Sequence, residues 1–239
     1  MKIALVSGAS GLVGKEILHQ LFKHEAYDYV LSIGRRKLAI KQQKLVQIEG
    51  DMAQIGSWDW EDKITSQSLS GEYYSLIESL TTKNAEVHAF SSLGTTIKQA
   101  GSKEKFYAID HDLVIAFAGW AKKVGASKFL YVSSSGADAE SSIFYSQTKG
   151  KTEEDIKAVG FDYVGLFRPS LLMGNRSEFR LGEQAAQILM KPLIWLKLFK
   201  NIRPIYDFQV ARALVNTALM QKSESIEIIS SGEMQDLSK

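Results

Sequence analysis

Residues 2–14, Lys2-Ile3-Ala4-Leu5-Val6-Ser7-Gly8-Ala9-Ser10-Gly11-Leu12-Val13-Gly14, constrain the fold more than any other stretch. The apolar run reads as a buried parallel strand. Three glycines at three-residue spacing follow it, and Val13, Ile17, Leu18 and Leu21 then form the apolar stripe of a helix. In such a corner Gly8 permits the turn and Gly11 admits close backbone approach. Gly14 leaves room where helix meets strand. The free amides and positive end of the helix suit a pyrophosphate. Strand before and helix after make a dinucleotide site the favoured reading, with a purely structural turn as the alternative.

The next strand, Tyr29–Gly34, ends in Arg35-Arg36-Lys37. A fold selective for NAD places a carboxylate about 20 residues beyond the glycines, to hold the ribose 2′-hydroxyl. Here the place belongs to Arg35, and no acid is nearby. Guanidinium groups clamp a 2′-phosphate that a carboxylate would repel. NADP(H) is therefore expected over NAD(H), with a solvated basic loop as the alternative. Leu45–Asp51 reads as a third strand ending in a turn, and Asp51 at its carboxyl end could accept from the adenine amino group or cap the helix that follows.

The remaining strands and helices alternate as a βα chain does. Glu86–Ser91 is a fourth strand that runs into Ser92-Leu93-Gly94-Thr95-Thr96, where Gly94 would let backbone lie against a ribose and Thr95 offers a hydroxyl. A long helix from Glu104 to Val124 has Leu113, Val114, Phe117 and Ala121 inward. Lys128–Val132 is a fifth strand ending in Ser133-Ser134-Ser135-Gly136. Asp162–Pro169 is a sixth, Asp207–Met220 a helix, Ile226–Ser230 a last strand, and the tail from Gly232 a polar surface element. Residues 57–84 are the least legible. In 176–206, Leu193, Ile194, Trp195 and Leu196 alternate with lysines. This reads as a lid or packing segment, or as a membrane-surface helix.

Tyr145 and Lys149 sit one turn apart on one helix face. Carbonyl reduction needs a proton donor at the substrate oxygen as hydride reaches carbon. A phenol near pKa 10 serves poorly until a neighbouring ammonium favours its phenolate. A serine on the facing loop would orient the carbonyl.

Composition closes off other chemistries. A formal net charge of +2 makes no case for nucleic acid, and with no cysteine there is no thiolate nucleophile or disulfide framework. The four histidines show no metal spacing and are expected on helix surfaces or strand ends. No apolar run reaches the ~18 residues of a membrane-spanning helix, and the first strand leaves no room for a leader. A cytoplasmic location is the expectation.

The glycine loop, the serine cluster and the Tyr145/Lys149 pair resemble the short-chain dehydrogenase/reductase superfamily. Ile33-Gly34-Arg35-Arg36-Lys37-Leu38, Leu93-Gly94-Thr95-Thr96, Ser133-Ser134-Ser135-Gly136-Ala137-Asp138 and Phe167-Arg168-Pro169 resemble its atypical branch, typified by the Tat-interacting-protein oxidoreductases. The resemblance implies an α/β, doubly wound Rossmann-type parallel sheet of about seven strands in one domain, 1–239. Residues after about 170 would form a small substrate lobe. It implies that Gly8, Ser10, Gly11, Leu12, Val13 and Gly14 hold the pyrophosphate, Arg35 and Arg36 the 2′-phosphate, and Asp51 the adenine. Leu93, Gly94 and Thr95 would meet the central ribose. Tyr145 would be the acid, Lys149 the ribose-binding lysine, and Ser134 the catalytic serine, with Ser133 and Ser135 each one position away.

The expected activity is NADPH-dependent reduction of a small carbonyl-type substrate. The rival is an NADPH sensor that engages a protein partner, and homodimerisation stays open. A sugar-nucleotide epimerase is disfavoured by a C-terminal lobe that is small and apolar.

Overall fold

A computed structural model describes residues 1–66, 73–174 and 203–239. Strand β1 (Lys2–Ser7) lies at the middle of a sheet because its side chains are apolar on both faces. Ile3 and Leu5 enter one core and Ala4 and Val6 the other. Complete burial of each larger side chain contributes about 1.5–3 kcal/mol.

Around β1 run β2 (Tyr29–Gly34), β3 (Leu45–Glu49), β4 (Glu86–Ser91), β5 (Ala126–Val132), β6 (Tyr163–Arg168) and β9 (Ile226–Ser230). They form a seven-stranded sheet in the order β3-β2-β1-β4-β5-β6-β9, every pair parallel. A two-stranded ladder joins β7 (Leu172–Met173) to β8 (Ile205–Tyr206). The strand order reverses between β1 and β4, which opens a crevice above their carboxyl ends.

Helices cover both faces. Helix α1 (Leu12–Lys23) lies on one face beside α8 (Asp207–Leu219), where Ile17, Leu18, Leu21, Val210 and Leu214 share a core. The other face takes α2 (Trp60–Thr65), α3 (Tyr74–Thr81), α6 (Leu113–Val124) and α7 (Phe144–Ala158). Short helices α4 (Ile97–Ala100) and α5 (Lys103–Tyr107) precede α6.

Three expectations change. The helix expected over Glu104–Val124 contains a π-helical turn at Ala108–Asp112. Its inner face is Val114, Phe117, Ala118, Trp120, Ala121 and Val124, while Leu113 is half-buried at the crevice. The polar tail is not a surface element. Residues Ser231–Leu237 form α9, because Ser230 and Glu233 make a capping box and Met234 finds a core position. His88 is neither on a helix surface nor at a strand end. It is fully buried within β4, between Tyr27 Oη at 2.8 Å and Glu86 Oε1 at 2.8 Å.

The described residues after Tyr206 return to the main layers: α8 packs on α1, and β9 extends the sheet. The lysine-interrupted apolar stretch, residues 193–200, read as a lid or packing segment or as a membrane-surface helix, lies outside the described residues. Among the described residues no helix is long and apolar enough to cross a membrane.

Candidate cofactor and active site

The corner between β1 and α1 is shaped by two close approaches. Gly8 sits at φ +78°, where a side chain would be strained, and its Cα faces the Ser92–Leu93 backbone. A methyl group on Gly14 would lie 2.1 Å from the Gly8 carbonyl oxygen, so α1 reaches the strand only with glycine there. Gly11 N–H donates back to Gly8 O at 2.9 Å and closes the turn. No acidic residue occupies the first turn of α1, and among the described residues no side chain caps it. Its first amides are thus open to an anion. Ser10 and Gly11 are exposed and Leu12 is half-buried, whereas the Val13 side chain enters the core.

A cleft of about 360 Å³ continues from this corner to the end of β2. Gly8, Ala9 and Ser10 line one part, Arg35, Arg36 and Lys37 another, and Leu93, Ile109 and Leu113 a third. Among the described residues, no acid lines it. An open helix terminus, a backbone approach that a methyl would block and a cationic rim fit a phosphorylated dinucleotide. Asp51 accepts from Ala53 N–H at 3.1 Å, so the capping reading of this residue is accounted for. Its neighbour Met52 lines the cleft.

Above β4 and β5 the structure brings together Gly94, Thr95 and Lys149, and adds two residues that sequence reasoning missed. Lys149 Nζ stands 2.8 Å from Asp110 Oδ1 and donates to Tyr131 Oη at 2.9 Å. The Lys149 and Asp110 side chains are 4% and 1% exposed, so the pair is sealed from water. Thr95 N–H donates to Asp110 Oδ2 at 2.7 Å, and Thr152 Oγ1 donates to the Asp110 carbonyl at 3.1 Å. A methyl on Gly94 would stand 3.2 Å from Asp110 Oδ1 and 3.6 Å from Lys149 Nζ.

Burial alone would lower the Lys149 ammonium, but Tyr131, Asp110 and Tyr145 outweigh it and hold the group above its ordinary value. Burial in turn pushes the Tyr131 phenol up against the pull of Lys149, so Tyr131 stays neutral. Asp110 lies in the π-helical turn, a distortion often found at functional sites. The sequence carried a signal for it: Phe106, Asp110, Leu113 and Phe117 follow helical spacing, which sets a carboxylate on an apolar stripe.

Tyr145 occupies the first turn of α7, half-buried, with its ring 5.6 Å from that of Phe106. The three serines separate by environment. Ser133 is buried and donates to Glu153 Oε1 at 2.5 Å, while Ser134 is half-buried and Ser135 exposed. Arg168 grips the same Glu153 through Nε at 3.0 Å and Nη2 at 2.5 Å, which strengthens its own hold on its proton. Ser133 is committed to that clamp.

The family described as NAD dependent epimerase/dehydratase matches residues 4–220. "Protein FMP52, mitochondrial" of Candida albicans is 34% identical, over 89% of this chain and 86% of that protein. "Protein HTATIP2" of Rattus norvegicus is 29% identical, over the whole of this chain and 90% of that one. A UDP-glucuronic acid 4-epimerase from Bacillus cereus, solved with UDP-glucuronic acid and NAD, superposes with a TM-score of 0.63 at 17% identity. That match covers 96% of this chain and 76% of that one. The cytoplasmic placement expected above is overturned, because the fungal relatives are named as mitochondrial. The expectation rested on the missing leader and on the lack of a membrane-length apolar run, and neither feature identifies a compartment. The resemblance to the Tat-interacting-protein branch is borne out, and the chain belongs to the NAD dependent epimerase/dehydratase family.

Proposed function

We propose that the chain is an NADP(H)-dependent reductase of a small carbonyl-type substrate. One observation carries the reading: the sealed Lys149, fixed by Asp110 and Tyr131, lies one helical turn from Tyr145, beside the strand ends that border the glycine corner. Residues 1–239 act as one cofactor-binding domain, and within the stretch after about 170 the substrate lobe is confined to the part before Asp207, because α8 and β9 belong to the main layers.

NADP(H) bound in the cleft supplies the hydride. Gly8, Ser10, Gly11, Leu12, Val13 and Gly14 would surround the pyrophosphate, with the first-turn amides of Leu12, Val13 and Gly14 as donors, since Gly11 N–H is turned back on Gly8 O. Arg35 and Arg36 hold the 2′-phosphate, Asp51 stands at the adenine end, and Leu93, Gly94 and Thr95 border the central ribose. The cationic rim, with no acid among the described residues that line the cleft, favours NADP(H) over NAD(H). The structural neighbours that carry NAD are under 25% identical and bear on the fold alone.

Tyr145 gives its phenol proton to the substrate oxygen. The Lys149 ammonium stabilises the phenolate left behind. The ammonium donates to Tyr131 and stands against Asp110 as an ion pair, which leaves an N–H for a ribose hydroxyl. Ser134 Oγ–H donates to the same substrate oxygen and offsets its developing charge. A sensor needs none of this proton-handling set, which favours catalysis. The family's name includes epimerases, yet the chain spans about three quarters of those solved chains. The setting proposed is mitochondrial, after the names of the fungal relatives.

The test is NADPH oxidation across a panel of aldehydes, ketones and quinones. Tyr145→Phe should abolish turnover while NADPH binding stays close to that of the parent. If the variant reduces substrate normally, the mechanism is wrong. If the parent binds NADPH tightly and consumes none with any substrate, the sensor reading takes over.

A further inference from the structure

Arg35, Arg36 and Lys37 are exposed side chains on a connecting loop. Cations on a loop free to wander lose much of their attraction for a phosphate to the entropy of ordering them. This loop is held. Gln47, in the middle of β3, accepts the Leu38 N–H on Oε1 at 2.6 Å. Its Nε2 donates to the Leu38 carbonyl at 3.1 Å and to the Ile40 carbonyl at 3.4 Å. One side-chain amide thus pairs with both backbone groups of Leu38, as a neighbouring strand would.

The Leu38 side chain adds an apolar anchor against the α1–α8 core. Gly34 O, just before the cations, accepts from Gly50 N–H at 3.1 Å. Residues 35–37 are therefore fixed at both ends, between the close of β2 and the Gln47 latch. None of these bonds involves the glycine corner.

We infer that Gln47 is a positioning residue that sets cofactor specificity, by holding the Arg35–Lys37 loop ready for the 2′-phosphate that distinguishes NADP(H) from NAD(H). The inference rests on the NADP(H) reading above. Preorganising the loop lowers the ordering cost for the ligand that uses it and leaves the shared pyrophosphate contacts alone.

The experiment is calorimetric titration of the full chain with NADPH and with NADH, for the parent and for Gln47→Met. Methionine keeps the length of the side chain and removes its hydrogen bonds. NADPH affinity should fall about tenfold, equivalent to about 1.4 kcal/mol, with NADH affinity unchanged within about twofold. Gln47 is half-buried on an edge strand, so the variant should keep its melting temperature within a few degrees. Gln47→Asn, too short to span the same groups, asks the question again should the methionine variant misfold.

An unchanged NADPH-to-NADH ratio overturns the latch and leaves the NADP(H) reading standing. An equal loss of both nucleotides with a lowered melting temperature shows a structural role only, and also overturns it. A parent that binds NADH as well as NADPH removes the NADP(H) reading and the latch with it.

Discussion

Asp110→Asn removes the carboxylate that faces Lys149 without changing the size of the side chain. The new amide still accepts from Thr95 N–H, but it turns an N–H₂ toward an ammonium that is 4% exposed. Breaking a buried pair by deleting one partner costs about 3–5 kcal/mol, because the remaining charge has no counterpart. For a chain of this size each kcal/mol lowers the melting temperature by about 2–4 °C, so a fall of about 6–20 °C is expected.

The pH dependence provides a second check. In the parent, the Lys149 pKa is raised on folding, so its contribution is complete at neutral pH and lost only at strongly alkaline pH. In the variant burial acts with less opposition and lowers that pKa. The unfolded chain then binds more protons, and stability rises with pH until the ordinary lysine value near 10.4. The deficit of the variant should narrow as the pH is raised from 7 towards 10. Urea denaturation at several pH values, read by far-ultraviolet circular dichroism, measures both effects. A second substitution, Asp110→Asn with Lys149→Met, should recover part of the loss by removing the stranded charge. A single variant within about 1 kcal/mol of the parent, or a double variant no better than the single, would refute the buried pair as an energetic unit.

Two other outcomes can be checked with purified protein. His88 is sealed and its pKa is pushed down to about 4, mainly by burial and against the pull of Glu86. Its folded-state value lies below the unfolded one, so stability falls with acidity from about pH 6.5. Some 2 kcal/mol should be lost between pH 7 and 5, and His88→Gln should flatten that slope in urea titrations. Gly14→Ala sets a methyl 2.1 Å from the Gly8 carbonyl oxygen and forces α1 away from β1. NADPH and NADH affinities should both fall by more than about tenfold, and calorimetry showing parental binding would count against the pyrophosphate corner.

The sequence by itself determined the frame. The apolar run of β1, the glycine spacing and the helical stripe of α1 are local patterns, and steric and hydrophobic rules act on them within a dozen residues. The same holds for β2 with its arginines, for β4, and for the Tyr145/Lys149 spacing on α7, all found where expected. Tertiary structure alone decided what those residues meet. Asp110 reaches Lys149 across 39 positions, Tyr131 joins them from β5, and Ser133 is drawn away by Glu153 and Arg168. His88 looked like a strand-end polar residue until Tyr27 closed over it, and the tail looked exposed until Met234 entered the core. Those outcomes depend on burial and partner choice between distant segments. A local pattern records neither, because the free energy that fixes them arises only once the sheet has brought the segments together.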